Sequence, residues 1–300
     1  MEERRRYVKL ASYQHWLRKD WAVACLFLAP SIIGFTLFYL LPFLMSLLYS
    51  LMDGTVNGQF VGMYNYQELL ASDSFKKATM NTFTFSLVSV PLILSLSLGV
   101  ALLLNQPLFL RQWLRTAYVM PLVVPVASTV LMWQILFDWN GTMNGLRELL
   151  GYERIDWMKS EAARYVVVLV YVWKNLGYNV LLFLAGLQQI PKDYYETAQI
   201  EGAGGWTQFR ITLIYLTPMM FFVTLMSLIH SFKVFRETYL IAGDYPHDSI
   251  YFLQHYMNNR FVSLDIPKLT AAASLMAGGM LMLVFVLFTI ERKHRQYMEQ

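Results

Sequence analysis

The chain has 300 residues, of which 56% are apolar and only 15% charged, with a mean hydropathy of +0.40 and a formal charge of +4. A soluble domain carries roughly 25% charged residues, so this composition excludes disorder, a coiled coil and a disulfide scaffold, and it disfavours a purely soluble enzyme. The one cysteine, Cys25, cannot form an internal disulfide or a Cys-pair metal site. The basic residues flank apolar segments and form no clustered face for nucleic acid, which leaves an integral membrane protein.

Charge spacing sets the elements, because ionisable groups are costly at the bilayer centre. Between Asp20 and Asp53 lie 32 uncharged residues, and between Lys77 and Arg111 lie 33. Arg115–Asp138, Arg210–Lys233 and Lys268–Glu291 each enclose 22. A helix of about 22 residues spans about 33 Å, enough for a hydrocarbon core of roughly 30 Å. A further run, Ala163 to Gln188, is interrupted only by Arg164 at its edge and Lys174 inside. The spacing predicts six helices, at 22–50, 79–104, 117–137, 163–188, 212–232 and 270–290. A barrel would need strands that alternate apolar and polar residues. Val123–Leu131 and Met280–Ile290 do not alternate, so the fold class is all-α. The first run is too long for a cleaved leader and contains Pro30 and Pro42, so it reads as an uncleaved helix.

With the N-terminus inside, the cytoplasmic segments hold 13 Lys and Arg, among them Arg4, Arg5, Arg6, Arg18, Lys19, Arg111 and Arg210. The longer outer segments hold 9. This asymmetry places both termini in the cytoplasm.

The cytoplasmic loop 190–210 is more than a connector. Pro191 ends the preceding helix. Asp193 with Glu196 three residues later reads as a capping box. Tyr194, Ala198 and Glu201 fall along a short helix, Gly202, Gly204 and Gly205 break it, and Trp206 and Phe209 open the next element. Two short helices joined by a glycine turn form a knob whose exposed apolar groups want a partner surface. The glycines are followed by no Lys-Ser/Thr pair and no strand precedes them, so they are not a phosphate cradle.

Tyr195-Glu-Thr-Ala-Gln-Ile-Glu-Gly-Ala203 resembles the EAA motif of bacterial ABC importer permeases. Asn81-Thr82, Met120-Pro-Leu-Val-Val-Pro125, Val172-Trp-Lys-Asn-Leu-Gly-Tyr-Asn179 and Leu184–Pro191 resemble the same family's carbohydrate branch, the maltose-type and glycerol-3-phosphate-type permeases. The resemblance covers about Phe60 to the C-terminus. It departs at Thr197, where Ala is usual, at Glu201, where Asp is usual, and at Ile214, where Pro is common.

The resemblance implies an ABC type-1 importer permease fold with a cytoplasmic coupling helix. It divides the chain into a cytoplasmic segment 1–21, a first helix and outer loop 22–77, a permease domain 78–290 and a cytoplasmic tail 291–300. It assigns ATPase coupling to Glu196, Thr197, Ala198, Glu201, Gly202 and Ala203. The implied partners are a second permease subunit, two cytoplasmic ATPase subunits carrying ATP and Mg, and an extracytoplasmic solute-binding protein. The chain itself would be no enzyme and would hold no cofactor or metal.

The polar groups inside the predicted helices are candidates for the solute path. Lys174 is central in its run, and an intramembrane cation is a functional candidate by default. Asn175, Tyr178 and Asn179 add the donors, acceptors and aromatic face that sugars need. Ser227 and Ser231, four apart, share one helix face. His15, His230, His247, His255 and His294 show no metal-ligand spacing. The turn-rich segment Ala242–Asp248 reads as a solvated outer loop. A secondary transporter would need membrane carboxylates or broken helices, and no Asp or Glu lies within the six runs.

The topology predicts that Ser12→Cys and Gln296→Cys variants are shielded from impermeant thiol reagents in intact cells, whereas a Ser160→Cys variant labels. Labelling at both termini would overturn the orientation.

Overall fold

The computed structural model describes residues 20–106, 109 and 111–298. The predicted segment 1–21 therefore lies outside the described residues except at its end, as does Arg111's side chain; the last seven residues have no described side chains. The chain divides into two compact units, the described part of Met1–Tyr66 with Ile266–Ser274, and Gln67–Asp265 with Leu275–Gln300.

In the first unit, α1 (Asp20–Phe35) runs through a π-helical stretch, Thr36–Leu40, into α2 (Leu41–Tyr49). The Leu41 N–H reaches back to the Thr36 carbonyl. Pro42 follows at once, and its missing N–H removes a normal rung of the ladder. Val23–Tyr49 is long and apolar enough to span a bilayer. After it, Asn65 donates from Nδ2 to the carbonyls of Ser50 (2.9 Å) and Met52 (2.7 Å), closing the loop that follows the helix. One isolated bridge, Met52 with Phe60, is the only β pairing among the described residues.

The remaining helices are α3 (Tyr64–Ala71), α4 (Asp73–Asn105), α5 (Arg111–Val123), α6 (Val126–Phe137), α7 (Thr142–Leu149), α8 (Ala163–Gln188), α9 (Asp193–Ile200), α10 (Gly205–Phe232), α11 (Phe235–Ala242), α12 (Leu253–Val262) and α13 (Ile266–Met298). The expected span 163–188 coincides with α8. Three others are longer than the predicted helices: α4 starts at Asp73, α10 at Gly205, and α13 continues into the predicted tail.

The expected single helix 117–137 is corrected. It is a pair, bent by 99° at Val124–Pro125. Pro125 has φ −56° and ψ 141°. It offers no N–H to continue α5 and biases Val124 away from helical angles. Among the described residues, five helices are thus long and apolar enough to cross a membrane, or six if the bent pair counts as one span.

Within the second unit α8 is the hub, with α4, α5 and α10 packed on it. Towards one end, Val167 and Tyr171 of α8 pack with Phe85 and Ile93 of α4 and with Val234, Ile250 and Phe252. Towards the other, Val180, Phe183, Leu184 and Leu187 pack with Ala101 and Leu104 of α4 and Leu216 and Val223 of α10. Between helices in lipid, close backbone approach and van der Waals contact replace the hydrophobic drive. Glycines supply that approach: a Cβ on Gly177 would sit 1.8 Å from the Tyr118 carbonyl oxygen of α5, and one on Gly186 would sit 2.8 Å from Leu216 Cδ1 of α10.

The turn 248–253 is tied down by the start of α4. Asn81 donates from Nδ2 to the carbonyls of Asp248 (2.6 Å) and Tyr251 (3.0 Å). The Leu253 N–H donates to Thr82 Oγ1 at 2.9 Å. Lys77 Nζ lies 2.7 Å from Asp248 Oδ2 and holds that carboxyl below its usual range. His255, fully buried beside Phe235 and Phe252, accepts the Phe252 N–H on Nδ1, and burial pushes its imidazole down to about 4, so it stays neutral at ordinary pH.

Gly177→Ala forces α5 and α8 apart, and overpacking of this kind costs typically about 1–3 kcal/mol. Gly145→Ala, where nothing lies within 4 Å of the added Cβ, is the control. Thermal denaturation of the purified permease complex should show a lower midpoint for Gly177→Ala and none for Gly145→Ala; equal midpoints would contradict the close approach.

Candidate functional site

The six candidate path residues separate into two groups. Asn179, Ser227 and Ser231 are almost fully buried and are spent on bonds between helices. Asn179 Nδ2 donates to Ser227 Oγ at 2.8 Å, joining α8 to α10. Ser231 Oγ lies 2.8 Å from Ser86 Oγ, joining α10 to α4. Tyr171, not singled out from the sequence, donates from its hydroxyl to the Ser227 carbonyl at 2.7 Å, beside the same clamp. These contacts satisfy polar groups where lipid cannot.

Lys174, Asn175 and Tyr178 lie apart from those clamps. Lys174 and Asn175 line a cavity of about 430 Å³ together with Tyr171, His230, Glu237 and Gln254. Asn175 is held by a bond from Nδ2 to the Tyr171 carbonyl at 2.8 Å. Tyr178 does not line it; its ring packs beside His230 with centroids 5.7 Å apart. Lys174 Nζ is paired with Glu237 Oε1 of α11, and the two side chains are only 20% and 9% exposed.

Glu237 is the residue that sequence reasoning missed. It lies past Lys233, outside every charge-free run. The structure continues α10 through a short turn into α11, and Gly205–Ala242 forms one apolar stretch. The available signal was Lys174 itself, since a central lysine needs a counter-charge or a carbonyl.

The second candidate site is α9 with its exit. The capping box expected from Asp193 and Glu196 is corrected: Lys192 is the N-cap, no side chain caps the helix, and Asp193 is its first residue. Both acids still lie in the first turn, where the helix dipole favours negative charge. The glycine turn is as expected, but no second short helix follows it: Gly205 opens the 28-residue α10. Gly202 has φ +79°. Its N–H bonds the Gln199 carbonyl at 3.0 Å, and the Ala203 N–H bonds the Ala198 carbonyl at 2.8 Å, the paired bonds of a Schellman motif.

Of the six coupling candidates, Glu196, Thr197, Glu201 and Gly202 are exposed, Ala203 is half-buried, and Ala198 turns inward. α9 is pinned to α10 by Tyr195 Oη and Thr212 Oγ1 at 2.9 Å and by stacking of Tyr194 on Tyr215 at 4.4 Å. Ile200 and Trp206 stand out at 87% and 77% exposure, an apolar surface beside exposed carboxylates.

Residues 92–295 match the model of a family described as binding-protein-dependent transport system inner membrane component. The chain is similar to the trehalose/maltose transport system permease protein MalF of Thermococcus litoralis, 35% identical over 190 residues. That match covers 62% of this chain and 64% of the relative, so it spans less than two thirds of MalF. The chain is also 32% identical over 280 residues to the sulfoquinovosyl glycerol transport system permease protein SmoG of Agrobacterium fabrum, covering 89% of this chain and 90% of that one. A chain in the crystal structure of a bacterial alginate ABC transporter, in complex with an alginate pentasaccharide-bound periplasmic protein, shares its fold at TM-score 0.81 and 21% identity. It covers 92% of this chain and 96% of that one.

Removing one partner of a buried ion pair costs about 3–5 kcal/mol, because the other charge is left uncompensated. Replacing both by groups of similar volume is often near neutral. Glu237→Gln alone should therefore lower the thermal midpoint of the purified complex more than the double Lys174→Met/Glu237→Gln. A double variant as unstable as the single would show that the pair is not what holds α8 to α11.

Proposed function

This chain belongs to the family of binding-protein-dependent transport system inner membrane components, a multi-pass family of the membrane, and we propose on that premise that it is one permease subunit of an ATP-driven carbohydrate importer. The observation that carries the reading is the pinned helix α9 with its Schellman exit. It is a short, rigid element that presents Glu196, Thr197, Ile200 and Glu201 on the surface, and it follows α8 after only a few residues, the helix that lines the polar cavity.

On this reading both termini and α9 face the cytoplasm. ATP and magnesium belong to two partner ATPase subunits, and this chain performs no chemistry of its own. A second permease subunit completes the path, and a solute-binding protein delivers the solute from outside. α9 docks on an ATPase subunit through Glu196, Thr197 and Glu201, while Ala198 and Ala203 fix its seat on the chain. Closure of the ATPase pair moves α9 as a rigid body, and α8 and α10 carry the motion to the cavity. Lys174 and Asn175 face the solute there. Tyr178, Asn179, Ser227 and Ser231 hold the helices that shape the path. The carbohydrate reading is supported by the sugar-transport names of the relatives. A non-sugar solute such as glycerol phosphate is the second reading, supported by the cations Lys233 and Arg236 that line the cavity beside the Lys174–Glu237 pair.

A Cβ on Gly202 meets nothing within 4 Å, so the cost of a side chain there is conformational only. A left-handed backbone costs an L-residue roughly 1–2 kcal/mol, and Asn tolerates it best. Gly202→Val should leave membrane abundance normal but weaken ATPase retention and lower ATP hydrolysis stimulated by loaded binding protein. Gly202→Asn should retain most of both. Wild-type retention and stimulation in a reconstituted Gly202→Val complex would sink the coupling role of α9.

A further inference from the structure

The cavity beside Lys174 carries more positive charge than its own carboxylate can balance. Besides the Lys174–Glu237 pair, it is lined by Lys233 and Arg236. Neither has a carboxylate at ion-pair distance among the described residues. Both are exposed. Three cations thus face one carboxylate, with Glu237 already engaged by Lys174. His230 on the same wall has a buried Nδ1 without a hydrogen-bond partner, and the Gln254 amide faces the same space.

Topology does not account for this excess. Lys and Arg near span ends favour the cytoplasmic side, and on the proposed orientation Lys233 and Arg236 stand at the outer end of α10. A neutral sugar entering the cavity would leave the charge of these two cations unanswered. A carboxylate, sulfonate or phosphate would accept charge-assisted bonds from them, roughly twice as strong as neutral ones. The guanidinium of Arg236 can do so with two parallel N–H groups.

We infer that the solute of this permease carries an anionic group, met by Lys233 and Arg236 while its hydroxyls face Asn175, Gln254 and His230. The inference rests on the importer reading above and narrows it to acidic saccharides. Lys174 remains with Glu237, which keeps that wall of the cavity neutral and leaves the anion to the two unpaired cations.

The test uses proteoliposomes holding the whole importer, with its second permease, ATPase subunits and binding protein. The neutral probes are labelled maltose and galactose; the acidic probes are digalacturonate, sulfonated glucose and glucose phosphate, which also separate the three anion chemistries. ATP-dependent uptake of at least one acidic probe should exceed that of the neutral ones by about tenfold or more. Lys233→Glu/Arg236→Glu should lower that acidic uptake by about tenfold, and the charge-keeping Lys233→Arg/Arg236→Lys should restore most of it. Equal or exclusive uptake of neutral probes overturns the inference while leaving the importer reading intact. So does a charge reversal that changes acidic and neutral uptake by the same factor, which would assign the two cations to docking of the binding protein. Absence of ATP-dependent uptake of every probe overturns the saccharide reading and this inference with it.

Discussion

A polar group in the hydrocarbon region must find its partner inside the protein. In this chain that requirement is met mainly along one helix, with Asn179 Oδ1 left buried without a partner among the described residues. Tyr171, Lys174, Asn175 and Asn179 of α8 are each bonded, to the Ser227 carbonyl, to Glu237, to the Tyr171 carbonyl and to Ser227 Oγ. The bonds of Tyr171, Lys174 and Asn179 fix α8 against α10 and α11. The glycines on α8 then let α5 and α10 approach to backbone distance. The cavity is the space left beside the helix, and the short helix α9 follows its C-terminal end.

Charge spacing made the spans legible because the cost of an ion in lipid acts on single residues and does not depend on tertiary contacts. The bounds of α8 agree with the predicted run although Arg164 and Lys174 interrupt it, and Lys174 is tolerated there by its pairing with Glu237. The same signal is blind to direction. Pro121 and Pro125 were visible in the third run, yet the spacing of Arg115 and Asp138 says nothing about a 99° bend between them. It also overestimates how cleanly a span ends. Glu237 lay just past a lysine and looked external, although α11 carries it back to Lys174.

The candidate sites were legible in proportion to how local their physics is. Gly202 was readable because a glycine at a helix exit has one local explanation, the left-handed turn. The capping box was not, because whether Asp193 caps or begins the helix depends on how Pro191 and Lys192 leave α8. The roles of Asn179, Ser227 and Ser231 were beyond sequence reasoning, since whether a serine faces a solute or an asparagine is decided by which helix lies opposite. Asn81 and Thr82 were noticed as a pattern; the turn they hold, 248–253, lies about 170 residues further along the chain.

The central claim is that α9 is the element through which a cytoplasmic ATPase moves this chain. Thr197 is exposed in the middle of that helix. A Thr197→Cys variant, treated in membranes with a short bifunctional thiol reagent, tests the claim most directly. The account predicts a covalent adduct whose second component is an ATPase subunit, lost when the ATPase is omitted from expression, and no labelling of the same cysteine from outside intact cells. Labelling from outside, with no ATPase adduct, would contradict it.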